Sequence, residues 1–296
     1  MPTPTPAGPI AQKLLKILSR AGHRKALDLS PLNFGSQSHL HPLHAHYSTI
    51  QHRVSELVEV LLTLPALGRF SRALGDAEDL YKPSGPPMSP LTYSYFFYWS
   101  VFDMALGLRK ETLGSCLIAV LERLGRDPAL LAGVRTMQAS RMGLHEHQGW
   151  DGDSVVLRDM GTDEPRHCLV ASQYRGEPGQ IWLARVLPPP SEAFRDHLMI
   201  TTPYVFRETP TDQWRGYLQR TLPGVKSADP REAYHRLMKY GLSLNYWNEF
   251  IFQAYSNYQT EAAFLTGLPD IPLSRPHSPE TNRRIEAGLP TRFRDG

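Results

Sequence analysis

Cysteine and long apolar segments are both scarce in this sequence. Its two cysteines, Cys116 and Cys168, fall in different predicted elements without the close spacing of a zinc-binding pair, which excludes a disulfide framework and a cysteine zinc ribbon. No apolar run approaches the roughly 18 residues that a membrane span requires, and residues 1–9 lack the charged start and apolar stretch of a secretion signal. We therefore expect a protein of the reducing cytoplasm without a membrane span.

The motifs of common catalytic sites are also absent. The chain contains no GxSxG nucleophile elbow, no Walker loop, no GxGxxG after a strand, no HExxH and no CxxC pair. Its formal net charge of +3 and pI near 8.8 are mildly basic, well below the charge density of an obligate nucleic-acid binder. These absences favour a binding or regulatory protein over an enzyme.

Most of the chain has the hydrophobic period of helices. Residues 1–9 hold four prolines and are predicted to be a disordered start, and residues 10–140 are predicted to form a helical domain. Residues 207–267 are predicted to add C-terminal helices that pack on the first helical domain, and residues 268–296 are predicted to be an extended basic tail. Two aromatic helices, 93–102 and 246–258, are expected to pack together in one helical body.

The middle of the chain, residues 141–206, has instead the period of strands. Asp151-Gly152 lies between two strand-like segments and predicts a type I′ hairpin, and further turns are indicated at Gly161 to Pro165 and at Pro178-Gly179. Five short strands at this spacing predict a small closed barrel of the SH3 or OB type. The expected fold class is α+β, predominantly helical, with a central five-stranded barrel inserted in the helical body.

The order of three segments, FFYWSVFDMALGLRKETLGSCLIAVLERLG, then MQASRMGLHEHQGWDGDSVVLRDMGTDEPRHCLV, then GQIWLARVLPP, resembles a loosely defined group of uncharacterised bacterial proteins. The resemblance covers about residues 90–205 and implies a helical domain followed by an SH3-like barrel. Many members of that group carry a cysteine-rich zinc motif of the SecA C-terminal type, which this chain lacks. The resemblance implies no activity. The residues that carry the resemblance are Phe102-Asp103, Thr112-Leu113, Ser140, Leu157-Arg158-Asp159, Gly161-Thr162 and Ala184-Arg185-Val186-Leu187.

Four histidines, His39, His41, His44 and His46, lie directly before a helix for which Ser48 and Gln51 predict a capping box. Neutral imidazole is a common transition-metal ligand, so the cluster is a candidate site for zinc or another transition metal. The alternative is an irregular loop in which the histidines bind nothing, because structural zinc sites usually recruit cysteine. No other cofactor is predicted.

The predicted barrel carries basic and aromatic residues together. Such interleaving is typical of surfaces that bind RNA or single-stranded DNA. Two histidines of the first strand, His145 and His147, point to one face, where they either begin an acid–base or metal site or face solvent. The candidate partner-binding residues are Arg158, Arg185, Trp150, Tyr174 and Trp182.

Three functional hypotheses remain open. In the first, the barrel of a non-enzymatic protein recognises a protein or nucleic-acid partner. In the second, the chain is a metal-dependent enzyme that uses the histidines of residues 39–46. In the third, it is a structural subunit whose aromatic helices form an oligomer interface. The sequence does not specify the partner or the oligomeric state.

Overall fold

The computed structural model describes residues 7–19, 27, 30–82, 86, 88–124 and 127–271. Residues 1–6 and 272–296, which hold most of the predicted start and tail, lie outside the described residues. The fold class is α+β, as predicted, with a closed five-stranded barrel and additional strands. Within the described ranges, no helix is long and apolar enough to cross a membrane.

The two helices that begin at Pro42 and Pro128 start with a proline that directly follows a capping side chain. Asp127, directly before the proline that starts its helix, accepts a hydrogen bond from the Leu130 N–H. The predicted start at Ser48 is wrong, because the helix already begins at Pro42, where the His41 ring caps the first turn. The bounds are α1 Pro9–Leu18, α2 Pro42–Leu62, α3 Gly68–Tyr81, α4 Tyr93–Tyr98, α5 Leu113–Leu124 and α6 Pro128–Ala139.

Glu111 holds the N-terminus of α1 from a distant part of the chain. Its two carboxylate oxygens accept hydrogen bonds from the Ile10 N–H at 3.0 Å and the Ala11 N–H at 2.9 Å. These N–H groups have no partner within the helix, and the helix dipole favours a negative charge there. Gly8 provides the space, since a Cβ atom at that position would lie 2.3 Å from the Glu111 carboxyl carbon.

Replacing Glu111 with Ala is expected to lower the free energy of unfolding by about 1–3 kcal/mol, because two N–H groups of α1 lose a charged acceptor. Urea unfolding measures this loss, and amide hydrogen exchange in α1 locates it. The control is Glu122→Ala, which removes a partly exposed partner of Arg135 and is expected to cost less than about 1 kcal/mol. Equal losses in the two variants would show that Glu111 does not anchor α1.

The aromatic helix α4 continues into a π-helical turn, Trp99–Asp103, whose residues are all buried. A π turn is closed by a hydrogen bond that spans one residue more than in an α-helix, here from the Met104 N–H to the Trp99 carbonyl, and such turns often occur at functional sites. Here it places the carboxylate of Asp103 in the interior, where the side chain is surrounded by the barrel and the C-terminal helices.

The barrel is closed by pairing of its first and fourth strands. Its order is β1-β2-β3-β5-β4, with β4 returning to β1, and β3 and β5 run parallel. The predicted hairpin forms, with Asp151 opposite Ser154, but only Gly152 of its two loop residues has a positive φ, which matches a type II′ rather than a type I′ turn. The strands are β1 Met142–Asp151, β2 Ser154–Asp159, β3 Pro165–Val170, β4 Ile181–Leu187 and β5 His197–Met199.

Three further strands extend the sheet beyond the barrel. β6 pairs with β4, and β8 and β7 follow it. The predicted helix 246–258 is therefore wrong at its end, since residues 255–258 form a strand that pairs with residues 263–266. Asp229 and Gly241 bound one of the C-terminal helices, as its N-cap and C-cap residues. The bounds are β6 Tyr204–Arg207, α7 Thr211–Thr221, α8 Pro230–Tyr240, α9 Tyr246–Ala254, β7 Tyr255–Tyr258 and β8 Ala263–Thr266.

Strand β4 separates two hydrophobic cores. Ile181 and Leu183 face the large core that the helices share, whereas Trp182 and Ala184 face a smaller core inside the barrel. Every residue of β4 is buried, as is typical of a strand with consecutive apolar residues that is covered on both faces. The barrel therefore shares one wall with the helical core.

Candidate functional site

The structure brings the three predicted stacking residues, Trp150, Tyr174 and Trp182, together with two further rings. We call this set the aromatic row, and its order is Trp150, His147, Trp182, Tyr174 and Phe264. Neighbouring ring centroids in this order lie 5.4, 5.1, 5.3 and 6.2 Å apart. These are ordinary distances for interacting aromatic rings. The row begins at the barrel surface and passes through its interior to β8.

Trp150 is the exposed end of the row. Its side chain is 46% exposed, which is unusual for a tryptophan beside a packed core. The indole N–H donates a hydrogen bond to the Arg175 carbonyl at 3.1 Å, so the ring is held in one orientation. The Arg175 guanidinium lies 5.8 Å from the centre of the indole ring and also donates to the Gly152 carbonyl. An aromatic face and a cation are thus presented side by side.

His147 positions Trp150 through a bulge in β1. The pairing with β2 shifts between His147 and Gly149, and Gly149 has a φ of +129°, which favours glycine. The His147 Nδ1 atom accepts the Gly149 N–H at 3.0 Å, so Nε2 carries the proton that it donates to the Arg175 carbonyl at 2.8 Å. Burial lowers the pKa of His147, which favours this neutral form.

The far end of the row carries a second cation. The Arg207 guanidinium lies 3.9 Å from the centre of the Phe264 ring, and Arg207 is exposed. Ser172, which precedes Tyr174 in the loop between β3 and β4, donates a hydrogen bond to the Glu261 carbonyl in the β7–β8 turn. This loop therefore connects the barrel to the additional strands beside the row.

Two of the predicted partner-binding residues are not at the surface, which corrects the sequence interpretation. Trp182 is fully buried within the row, and Arg185 points the other way from β4 into the helical core. Arg158 is partly exposed, but its guanidinium pairs with Asp163 at 2.5 Å, away from the contacts of the row. Trp150 and Tyr174 therefore remain as surface candidates, and Arg175 replaces the two predicted arginines.

Arg185 belongs to a buried ion cluster that joins the barrel to the helices. It hydrogen-bonds Asp103, whose other carboxylate oxygen accepts from Lys239 Nζ at 3.1 Å. Both cations also donate to the Ser140 carbonyl, at 3.0 and 2.7 Å. Burial lowers the pKa of Lys239 to about 8, while Asp103 acts in the opposite direction. Sequence reasoning missed Lys239, although a lysine on the buried face of α8 was the available signal.

The pair His145 and His147 is buried, so the expectation of solvent-facing histidines is wrong. His145 lies opposite Trp182 in the pairing of β1 with β4, and the His147 ring contacts the Trp182 ring, so both imidazoles face the interior of the closed barrel. Burial lowers the pKa of His145 to about 4. Asp159 on β2 is its nearest carboxylate, 3.9 Å from Nδ1.

The histidines of residues 39–46 do not form a metal site in this structure. Throughout the described ranges, no group of three His, Cys, Asp or Glu side chains is arranged to hold a metal ion. The ring of His41 caps α2, and the ring of His46 stacks on Phe34 with centroids 4.9 Å apart. Burial lowers the pKa of His44, and the nearby His41 and His39 lower it further. The zinc hypothesis therefore lacks geometric support.

The fold and the site together define an α+β protein in which a closed five-stranded barrel presents an oriented tryptophan beside an exposed arginine. No family model, no curated protein and no solved structure matches this chain. The likeness of residues 90–205 to a group of bacterial proteins stays a prediction from the sequence.

Proposed function

We propose that this chain is a binding protein whose barrel recognises single-stranded nucleic acid at Trp150 and Arg175. The observation that carries the proposal is the exposed indole, which the Arg175 carbonyl holds in one orientation. Bases stack on aromatic side chains of this kind, and each such contact contributes about 1–3 kcal/mol. The adjacent guanidinium supplies a cation for a phosphate group.

The topology of the barrel supports the same proposal. We infer that the barrel is OB-like, because five strands close in a Greek-key order in which the first strand pairs with both the second and the fourth. OB barrels bind oligonucleotides with their second and third strands and with the loops after the first and fourth strands. Here those two loops meet, since Arg195 pairs with Asp151 at 2.6 Å and Ser154 donates to Asp196 at 3.0 Å.

The test is fluorescence anisotropy of a labelled oligo-uridine of about 15 nucleotides, titrated at roughly 50 and 200 mM salt. Trp150→Ala is expected to weaken binding about 5- to 100-fold, because one stacking platform is lost. Arg175→Ala is expected to weaken binding and to reduce the slope of log affinity against log salt by about 1. Acrylamide quenching of tryptophan fluorescence reports directly on whether the oligonucleotide covers Trp150, because the other four tryptophans are buried.

Matched controls exist on the helical body. Tyr93 is an exposed aromatic residue and Arg69 an exposed arginine, both on helices outside the barrel. Alanine at either position is expected to leave the affinity unchanged. If the unmodified protein shows no binding at low salt, nucleic acid is excluded and a protein partner becomes the alternative for the same surface. If the controls weaken binding as much as Trp150→Ala, the contact is not at the barrel.

A further inference from the structure

The interior between the barrel and the helices contains more positive than negative charge. All six ionic side chains concerned are at most 22% exposed. Buried charges are normally balanced by partners, because an uncompensated ion is costly to remove from water. The four cations are Arg141, Arg166, Arg185 and Lys239, and the two carboxylates are Asp103 and Asp159.

Of these four cations, only the two beside Asp159 have appreciable access to solvent. Arg141 and Arg166 keep 12% and 22% of their side-chain surface exposed, whereas Arg185 and Lys239 keep 1% and 2%. Both of these partly buried guanidinium groups approach the same oxygen, Asp159 Oδ2, at 3.1 and 3.4 Å. Asp159 is therefore the buried carboxylate that these two cations share, and Arg166 also lies 3.8 Å from the exposed Glu164.

Asp159 has little remaining capacity as an acceptor. Its Oδ1 atom already accepts the Gly161 N–H at 2.9 Å and the Thr162 N–H at 3.2 Å. Burial by itself raises the pKa of this carboxyl, but His145, Arg141 and Arg166 outweigh it, so that the pKa is lowered and the group stays ionised. Arg141 Nη1 donates to the Met142 carbonyl at 3.0 Å, and the remaining N–H donors of the two guanidinium groups outnumber the acceptor positions left on Asp159.

His145 is a second sign of a missing polar partner. Its side chain is 1% exposed, and neither ring nitrogen makes a well-formed hydrogen bond, although Asp159 and the Ala184 backbone are close. Buried polar groups in folded proteins are nearly always satisfied, so an unpaired imidazole beside two arginines requires an explanation.

We propose that Arg141 and Arg166 bind an oxyanion of the phosphate class on the solvent side of Asp159. Guanidinium groups match the geometry of phosphate oxygens, and two of them can share one anion. Arg141 is already oriented, because its guanidinium lies 4.5 Å from the centre of the Tyr234 ring. That ring in turn packs against Gly161, where a Cβ atom would lie only 1.9 Å from Tyr234 Cδ1.

Glu164 is the competing surface carboxylate. It lies 3.8 Å from Arg166 and 3.9 Å from Arg231 and is 55% exposed, so a phosphate oxyanion must displace a weak, hydrated contact. We therefore expect a weak site, with half-saturation in the millimolar range. It uses none of the residues of the aromatic row, and it stands whether or not the barrel binds nucleic acid there.

The test is thermal unfolding of the whole chain in inorganic phosphate against chloride of equal ionic strength. Phosphate is expected to stabilise the protein in a saturable manner, and Arg166→Met is expected to weaken the effect at least about tenfold. Arg166→Lys keeps the charge but loses the fork of donors and is expected to be intermediate. The control is Arg158→Met, which removes an exposed arginine of the neighbouring strand that already pairs with Asp163.

Broadening of the phosphorus NMR signal of phosphate on the unmodified protein gives a readout that does not depend on any variant. No saturable effect by either method, or equal effects in Arg166→Met and the unmodified protein, would overturn the proposal. Two outcomes support the proposal and distinguish which kind of phosphate group the site binds. Displacement of phosphate by oligo-uridine identifies a nucleic-acid phosphodiester, and displacement only by a nucleoside monophosphate identifies a free phosphate group. Trp150→Ala should retain phosphate binding.

Discussion

Replacing Asp103 with Ala is expected to lower the free energy of unfolding by roughly 3–5 kcal/mol at pH 7. Asp103 is the one described carboxylate that contacts both Arg185 and Lys239. Its removal leaves two cations in the interior, next to the shared Ser140 carbonyl. Lys239 can then release its proton, but Arg185 cannot, so the cost of an unpaired guanidinium remains. Urea unfolding followed by circular dichroism measures the loss.

Lys239→Met separates this explanation from a simple loss of contacts. It removes one of the two cations and leaves Arg185 and Asp103 as a neutral pair, so its expected cost is less than half that of Asp103→Ala. The control for the carboxylate is Asp163→Ala, which removes an exposed partner of Arg158 and is expected to cost less than about 1 kcal/mol. If Asp103→Ala is no more destabilising than Lys239→Met, the charge balance of the cluster is not what stabilises this junction.

Local signals in the sequence were sufficient to predict much of the fold. Asp127-Pro128 and Asp229-Pro230 predict helix starts because capping and proline geometry act within a few residues. The hairpin at Asp151-Gly152 follows from the same kind of local chemistry. The strand at residues 255–258 was missed because its pairing with residues 263–266 competes with a helical pattern of aromatic residues. The π turn at Trp99–Asp103 has no local sequence signal of its own.

The candidate site was only partly predictable for a related reason. Composition placed Trp150, Tyr174 and Trp182 in one barrel, and the structure joins them in one row. Which of them faces solvent depends on the bulge at Gly149 and on the two-sided burial of β4. The apolar run Ile181–Ala184 in β4 indicated that burial, but it stops before Arg185, which we predicted to bind a partner and which the structure places in the interior. Its partner Asp103 is 82 residues away along the chain, so no spacing rule connects the two.

Acidification is expected to destabilise the protein through His145. Burial lowers the pKa of this histidine to about 4 in the folded state, whereas the ordinary pKa of a histidine in an unfolded chain is 6.5. Below pH 6.5 the unfolded chain binds the proton first, so stability that is complete above 6.5 is lost as the pH falls towards 4. A shift of this size corresponds to roughly 3 kcal/mol. Urea unfolding at a series of pH values from 7 down to about 4.5 measures the loss.

His145→Gln isolates the contribution of this one imidazole. Other histidines with a pKa lowered by burial, such as His44 and His235, also contribute to acid sensitivity, but they contribute equally in the variant. The informative quantity is therefore the change of unfolding free energy with pH, which should be smaller in His145→Gln by roughly 2–3 kcal/mol over this range. His52→Gln, at an exposed position on α2, should keep the full dependence of the unmodified protein. If His145→Gln also keeps the full pH dependence of the unfolding free energy, the imidazole is not held neutral by its burial between Asp159 and the barrel core.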